Sequence, residues 1–150
     1  DVKGATATLN TDYSAKLNVG LYSLLNKNND FLYMHLEAPD ECAHRGDIKG
    51  KILAIEKIDE LIIKPLIENL EKVQEDFVLL FLPDHPTPVS IKTHTDEPVP
   101  FLLYRSDTDY KQKLADYSEK SAKESGIYLE EAHTLIDKML DFEFMRRYYV

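Results

Sequence analysis

"DFVLLFLPD", Asp76 to Asp84, is a continuous apolar run bounded by acidic residues and followed at once by "HPTP". A run of this length without alternation has the pattern of a strand covered on both faces. Two more segments read as strands: "FLYMHLE", Phe31 to Glu37, framed by "NND" and Pro39, and "VPFLLYR", Val99 to Arg105. Between them lie helical patterns. "TDYSAKLNVGLYSLLNK" carries Leu17, Leu21, Leu24 and Leu25 at helical spacing, with Thr11 or Asp12 as cap. "GDIKGKILAIEKIDELIIKPLIENLEK" is the longest periodic segment. Asp47 is its expected cap, Ile48, Ile52, Ile55 and Ile62 form its expected buried stripe, and Pro65 is expected to kink or split it. The tail predicts helices over about 116–124 and 129–142, separated by Gly126, with the role of "FMRRYYV" left open between a last strand and a packed end. The order helix, strand, helix, strand, strand, helix predicts an α/β layered fold.

Composition narrows the function classes. The 150 residues suit one domain or a large piece of one, and 43% hydrophobic with 30% charged residues describes a globular chain. A net charge of -9 argues against a nucleic-acid partner, whose phosphate backbone wants a basic face. Handling an anionic substrate would then require local positive charge, which bound metal ions supply. No apolar run approaches the roughly 20 residues of a membrane helix, so no membrane partner is expected. The single cysteine, Cys42, permits no internal disulfide and points to a reducing, cytoplasmic setting.

The polar segments after the predicted strands hold the chemistry. "EAPDECAHRGD", Glu37 to Asp47, follows the first strand and spaces Asp40 and His44 as D-x-x-x-H, which puts both side chains on one side of a helical turn. "LPDHPTPVSIKTHT", Leu82 to Thr95, follows the second strand and carries Asp84, His85 and His94. In open α/β sheets ligands sit beyond the carboxyl ends of the strands. Two parallel strands would therefore bring Asp40, His44, Asp84, His85 and His94 to one edge. A carboxylate and imidazole set suits zinc, manganese, iron or cobalt better than calcium. Adjacent Asp84 and His85 either share a turn or splay apart, and Pro83, Pro86 and Pro88 stiffen the loop around them. The plainer reading, ordinary polar loops, stays open on the residues alone. His35 reads as a packed or supporting histidine, His133 as a surface or packing residue, and Cys42 as a small buried residue or a thiolate ligand. Lys51, Arg45, Lys92 and Arg105 are open between phosphate contacts and solvated charges.

Three longer segments, "GATATLNTDYSAKLNVGLYSLL", "HLEAPDECAHRGDIKGKILAIEKID" and "LPDHPTPVSIKTHTDEPVPFLLY", resemble the archaeal-type, cofactor-independent (2,3-bisphosphoglycerate-independent) phosphoglycerate mutases of the alkaline phosphatase superfamily. "SEKSAKESGIYLEEAHTLIDKML" resembles them more weakly, with Ala132 where the family pattern has Gly. The resemblance implies an alkaline-phosphatase-like α/β sheet with helices on both faces, and a site for two divalent metal ions, manganese first, with magnesium, zinc or cobalt as alternatives. It implies that Asp40, His44 and His94 hold one ion and that Asp84 and His85 help to hold the other. The implied reaction interconverts 3-phosphoglycerate and 2-phosphoglycerate through a phosphoserine. No stretch of the chain matches the family segment that carries the serine and its aspartate. Residues 1–150 are accordingly expected to be the C-terminal portion of the metalloenzyme domain, without its N-terminal part and inserted domain. Two alternatives accompany this reading: another phosphotransferase of the same type, such as a homoserine kinase, and a non-catalytic metal-binding module.

Overall fold

The computed structural model describes residues 2–108 and 116–141. They fall into two compact units, one of residues 2–74 with 87–95 and the other of residues 75–86 with 96–108 and 116–141.

The first unit is helical. Helix α1, Tyr13–Asn26, starts where the Asp12 carboxylate accepts the Ala15 N–H at 2.8 Å, so Asp12 is the cap. Thr11 instead receives the Thr6 N–H on its hydroxyl. α1 buries Tyr13, Leu17 and Gly20. Gly20 is needed for close approach: a Cβ there would stand 3.0 Å from Leu32 and 3.1 Å from Met34. Those two side chains belong to residues 31–37, which the sequence reads as a buried strand. The structure corrects this. The segment is extended and alternates, with Leu32, Met34 and Leu36 half-buried and Phe31, Tyr33 and His35 exposed, but it joins no sheet among the described residues. An extended backbone becomes a strand only through a ladder partner; here side-chain packing on α1 and a bond from Lys16 Nζ to the His35 carbonyl hold it.

Helix α2, Ala38–His44, opens with Pro39 in its first turn, where the missing N–H costs nothing. Gly46, at φ +74°, turns the chain into helix α3, Ile48–Ile58, capped by the Asp47 carboxylate on the Gly50 N–H at 2.8 Å. α2 and α3 pack together. The buried stripe of α3 is Gly50, Ala54 and Ile58, continued by Ile62. Ile48, Ile52 and Ile55 are 61%, 53% and 51% exposed, opposite to expectation. The small residues win the inner face because α2 comes so near: a Cβ on Gly50 would lie 3.1 Å from Cys42 Sγ. Periodicity identifies an apolar stripe but not which stripe meets a partner.

Pro65 breaks the helical regularity as expected. α3 passes into a π-helical turn, Asp59–Ile63, before helix α4, Lys64–Leu70, which takes Pro65 into its first turn. The wider turn accommodates a residue that can neither donate a ladder bond nor sit against the preceding carbonyl.

The second unit holds the sheet. β1, Val78–Phe81, pairs antiparallel with β2, Leu102–Arg105, from Val78 opposite Arg105 to Phe81 opposite Leu102. The apolar run after Asp76 is thus a strand, but half-covered along its length rather than covered on both faces, and its described partner runs antiparallel. β2 starts later than expected because Pro100 cannot donate to a ladder. Its carbonyl accepts the Tyr117 hydroxyl at 3.0 Å, and Tyr117 packs on Phe81. Burial, with the Glu119 charge, pushes the Tyr117 phenol up to about 12. Arg105 is buried and forks onto the Asp107 carboxylate at 2.8 and 2.6 Å. That hydrogen bonding holds Asp107 below its usual range against the opposing effect of desolvation. Helix α5, Glu119–Glu124, is capped by Ser118, and Gly126 follows at φ +70°. Helix α6, Leu135–Leu140, with a 3₁₀ turn at Ala132–Thr134, is shorter than the expected helix over 129–142. Phe142 and "FMRRYYV" lie outside the described residues. No helix among the described residues is long and apolar enough to cross a membrane.

Two outcomes test this packing. Ile62, 2% exposed, should cost about 2–5 kcal/mol on truncation to Ala, read from denaturant unfolding of the first unit. Asp107 has a folded pKa below its unfolded value of about 3.9, so its stabilisation is full above roughly pH 4 and is lost as pH falls through the folded value. Thermal melts from pH 7 to pH 3 should therefore fall less steeply in Asp107→Asn than in the unaltered chain.

Candidate metal centre

Asp40 and His44 stand one turn apart on α2, as their spacing predicts, and His94 approaches from the loop 87–95. His44 Nε2 lies 3.4 Å from Asp40 Oδ2, His94 Nε2 lies 3.4 Å from Asp40 Oδ1, and the two Nε2 atoms are 3.1 Å apart. Donor atoms held about 2.1 Å from one ion stand about 3.0 Å apart at right angles and about 3.4 Å apart at tetrahedral angles. The separations are of this size, with the Asp40 carboxylate meeting the two imidazoles through different oxygens, and one donor atom from each of the three residues lies within 4.8 Å of the others.

The tautomer of His44 follows from its other nitrogen. Nδ1 is 2.9 Å from the carbonyl oxygen of Lys92, which only accepts, so Nδ1–H donates. In the neutral ring Nε2 is then bare, and it faces a carboxylate. Two imidazoles and one carboxylate suit a divalent ion of the manganese-to-zinc series. Asp40 is half-buried while His44 and His94 are exposed, which leaves room for further ligands.

Sequence reasoning missed the support of this cluster. Thr87, 4% exposed, donates its hydroxyl to Asp40 Oδ1 at 2.6 Å. Lys51 Nζ, from α3, donates to the Thr87 carbonyl at 2.7 Å, so this lysine is a brace rather than a solvated charge. Lys92 adopts φ +60°, a conformation disfavoured for side-chain-bearing residues, with its N–H on the Pro88 carbonyl and its side chain lying over Gly46. A small hydroxyl residue in the proline-stiffened "HPTP" was the one available signal for Thr87.

Asp84 and His85 lie in the second unit, on a bend directly after β1. Their side chains turn toward each other: Asp84 Oδ1 accepts the His85 backbone N–H at 3.1 Å, and Asp84 Oδ2 is 3.5 Å from His85 Nε2. The shared turn, not the splay, is the observed arrangement. Cys42 is fully buried, with Arg45 donating to its sulfur at 3.6 Å, and is no part of the donor cluster. Arg45 also pairs with Glu41, Arg105 with Asp107, and exposed His35 with Glu37. His133 falls in the 3₁₀ turn before α6.

A family profile described as the metalloenzyme superfamily matches residues 1–139, and the chain belongs to that superfamily. More particularly, it is 41% identical over 136 residues to a Methanosarcina mazei protein named 2,3-bisphosphoglycerate-independent phosphoglycerate mutase, covering 91% of this chain and 34% of that one. A Geobacter sulfurreducens protein named as a probable enzyme of the same kind is 40% identical over 140 residues, covering 93% and 34%. A Methanothrix thermoacetophila protein of the same name is 44% identical over 136 residues, covering 91% and 34%. The chain thus spans 34% of the length of these curated relatives. A solved protein of Pyrococcus horikoshii superposes with a TM-score of 0.80 at 26% identity, over 97% of this chain and 42% of that one. This agrees with the expected alkaline-phosphatase-like α/β class.

Substitution of His94 by Ala should lower manganese retention after dialysis, measured by elemental analysis. For a direct ligand the loss should exceed the roughly 10- to 100-fold typical of an outer contact. Unchanged metal content would exclude His94 from the ligand set.

Proposed function

We propose that this chain is the C-terminal portion of a metal-dependent phosphoglycerate mutase that interconverts 3-phosphoglycerate and 2-phosphoglycerate through a phosphoserine. The observation that carries the reading is the convergence of Asp40, His44 and His94 in one coordination-sized cluster, within a metalloenzyme-superfamily chain whose relatives bear the mutase name. The length of those relatives supports its being part of a longer catalytic domain. So do the outward-facing Ile48, Ile52 and Ile55, which make a surface suited to further protein. The serine nucleophile is assigned to no residue of this chain.

In this reading Asp40, His44 and His94 hold one divalent ion, with manganese the first choice and magnesium, zinc or cobalt behind it. Asp84 and His85 contribute to a second. The ions supply positive charge against the phosphoryl oxygens and Lewis acidity for the transfer. The chain's own residues do the positioning. His44 presents a bare Nε2 because its Nδ1 proton is engaged by Lys92, and Asp40 is held by the Thr87 hydroxyl. With a net charge of -9, the domain needs this local reversal of sign to accept a phosphorylated anion. The substrate is a small phosphorylated acid in the cytoplasm.

The test uses the full-length protein carrying this segment, loaded with manganese. It should convert 3-phosphoglycerate to 2-phosphoglycerate without added bisphosphoglycerate, followed by coupled dehydration of the 2-phosphoglycerate formed. Turnover of ATP with homoserine and none of 3-phosphoglycerate would replace the mutase by a kinase; turnover of neither would leave a metal-binding module.

A further inference from the structure

We propose that Thr87 and Lys51 are positioning residues of the metal centre: Lys51 pins the loop that starts at Thr87 to α3, and the Thr87 hydroxyl then sets the orientation of the Asp40 carboxylate. The proposal rests on the reading of Asp40, His44 and His94 as metal ligands and deepens it.

The geometry runs from α3 to the ligand through two short contacts. Lys51 Nζ donates to the Thr87 carbonyl at 2.7 Å, and Thr87 Oγ1 donates to Asp40 Oδ1 at 2.6 Å. An ionised carboxylate only accepts, so the hydroxyl proton must point at Oδ1 and the threonine rotor is fixed. Asp40 is a short side chain on the first turn of a seven-residue helix, with Oδ1 facing His94 and Oδ2 facing His44. A rotation about its Cβ–Cγ bond would move both oxygens away from the histidines at once. Thr87 opposes that rotation from a buried position.

The same loop also orients His44. Ile91 and Lys92 both donate their N–H to the Pro88 carbonyl, closing a turn that places Lys92 at φ +60° with its carbonyl on His44 Nδ1. One stretch, residues 87–92, therefore holds the carboxylate ligand by a side chain and an imidazole ligand by its backbone. His94 follows two residues later. Lys51 fastens this template at its first residue, to the helix that packs on α2. Its ammonium contributes a donor to the carbonyl of buried Thr87. Contacts of this outer kind fix ligand rotamers, and their loss typically weakens metal affinity about 10- to 100-fold.

The experiment titrates Mn²⁺ into the full chain, read by the loss of the free-ion signal in electron paramagnetic resonance, with thermal melts in parallel. Thr87→Val keeps the shape and removes the donor, so affinity should fall about 10- to 100-fold, while Thr87→Ser restores it to near the starting value. Lys51→Met should weaken binding in the same direction, and the Thr87→Val and Lys51→Met losses should not add, since both act through one loop. The bound-ion spectrum of Thr87→Val should broaden relative to that of Thr87→Ser, a change that loss of stability alone does not produce. Equal Mn²⁺ affinity in Thr87→Val and Thr87→Ser, with His44→Ala binding clearly weaker, overturns the positioning role and leaves the ligand assignment standing. Undiminished binding in His44→Ala overturns the ligand assignment and the positioning role with it.

Discussion

The hydrogen bond from His44 Nδ1 to the carbonyl of Lys92 joins a helix residue to a loop residue 48 positions later. It is the bond around which the candidate metal centre is arranged. It fixes which nitrogen of His44 is bare, aims that nitrogen at Asp40 and at His94, and requires the loop 87–95 to lie along α2. For the carbonyl to face His44, Lys92 must take a backbone conformation that side chains disfavour, at a cost of about 1–2 kcal/mol. The turn on the Pro88 carbonyl and the brace from Lys51 offset that cost.

Close packing of α2 on α3 is the second constraint. Gly50 and Ala54 present almost no side chain, so Cys42 and Ala43 can be fully buried against them. Placing α2 this near to α3 puts Asp40 within reach of a loop that Lys51 holds from the same helix. The apolar face left outward, Ile48, Ile52 and Ile55, follows from that choice of inner face.

Much of the local structure was readable from single residues. Asp12 and Asp47 cap the helices assigned to them, Pro65 interrupts the long helix, and the i, i+4 spacing puts Asp40 and His44 on one turn. These are short-range effects, set by hydrogen bonds and sterics within about one helical turn. The expected stripe of α3 and the strand at 31–37 failed for a common reason. Each depends on which surface meets which, and apolar periodicity is blind to the partner. Leu32 and Met34 pack on Gly20, and β1 pairs with β2.

The amino-acid sequence by itself supplied the candidate donor types, the turn that carries Asp40 and His44, the proline-rich loop and the acidic net charge. Those are properties of residue types and of neighbours a few positions apart. Only the tertiary structure placed His94 beside Asp40 and His44, the Thr87 hydroxyl on Asp40, and the Lys51 ammonium on the Thr87 carbonyl. These contacts span 36 to 50 positions of chain. They form because burial and packing bring the segments together, and no local preference of the backbone encodes a contact of that range.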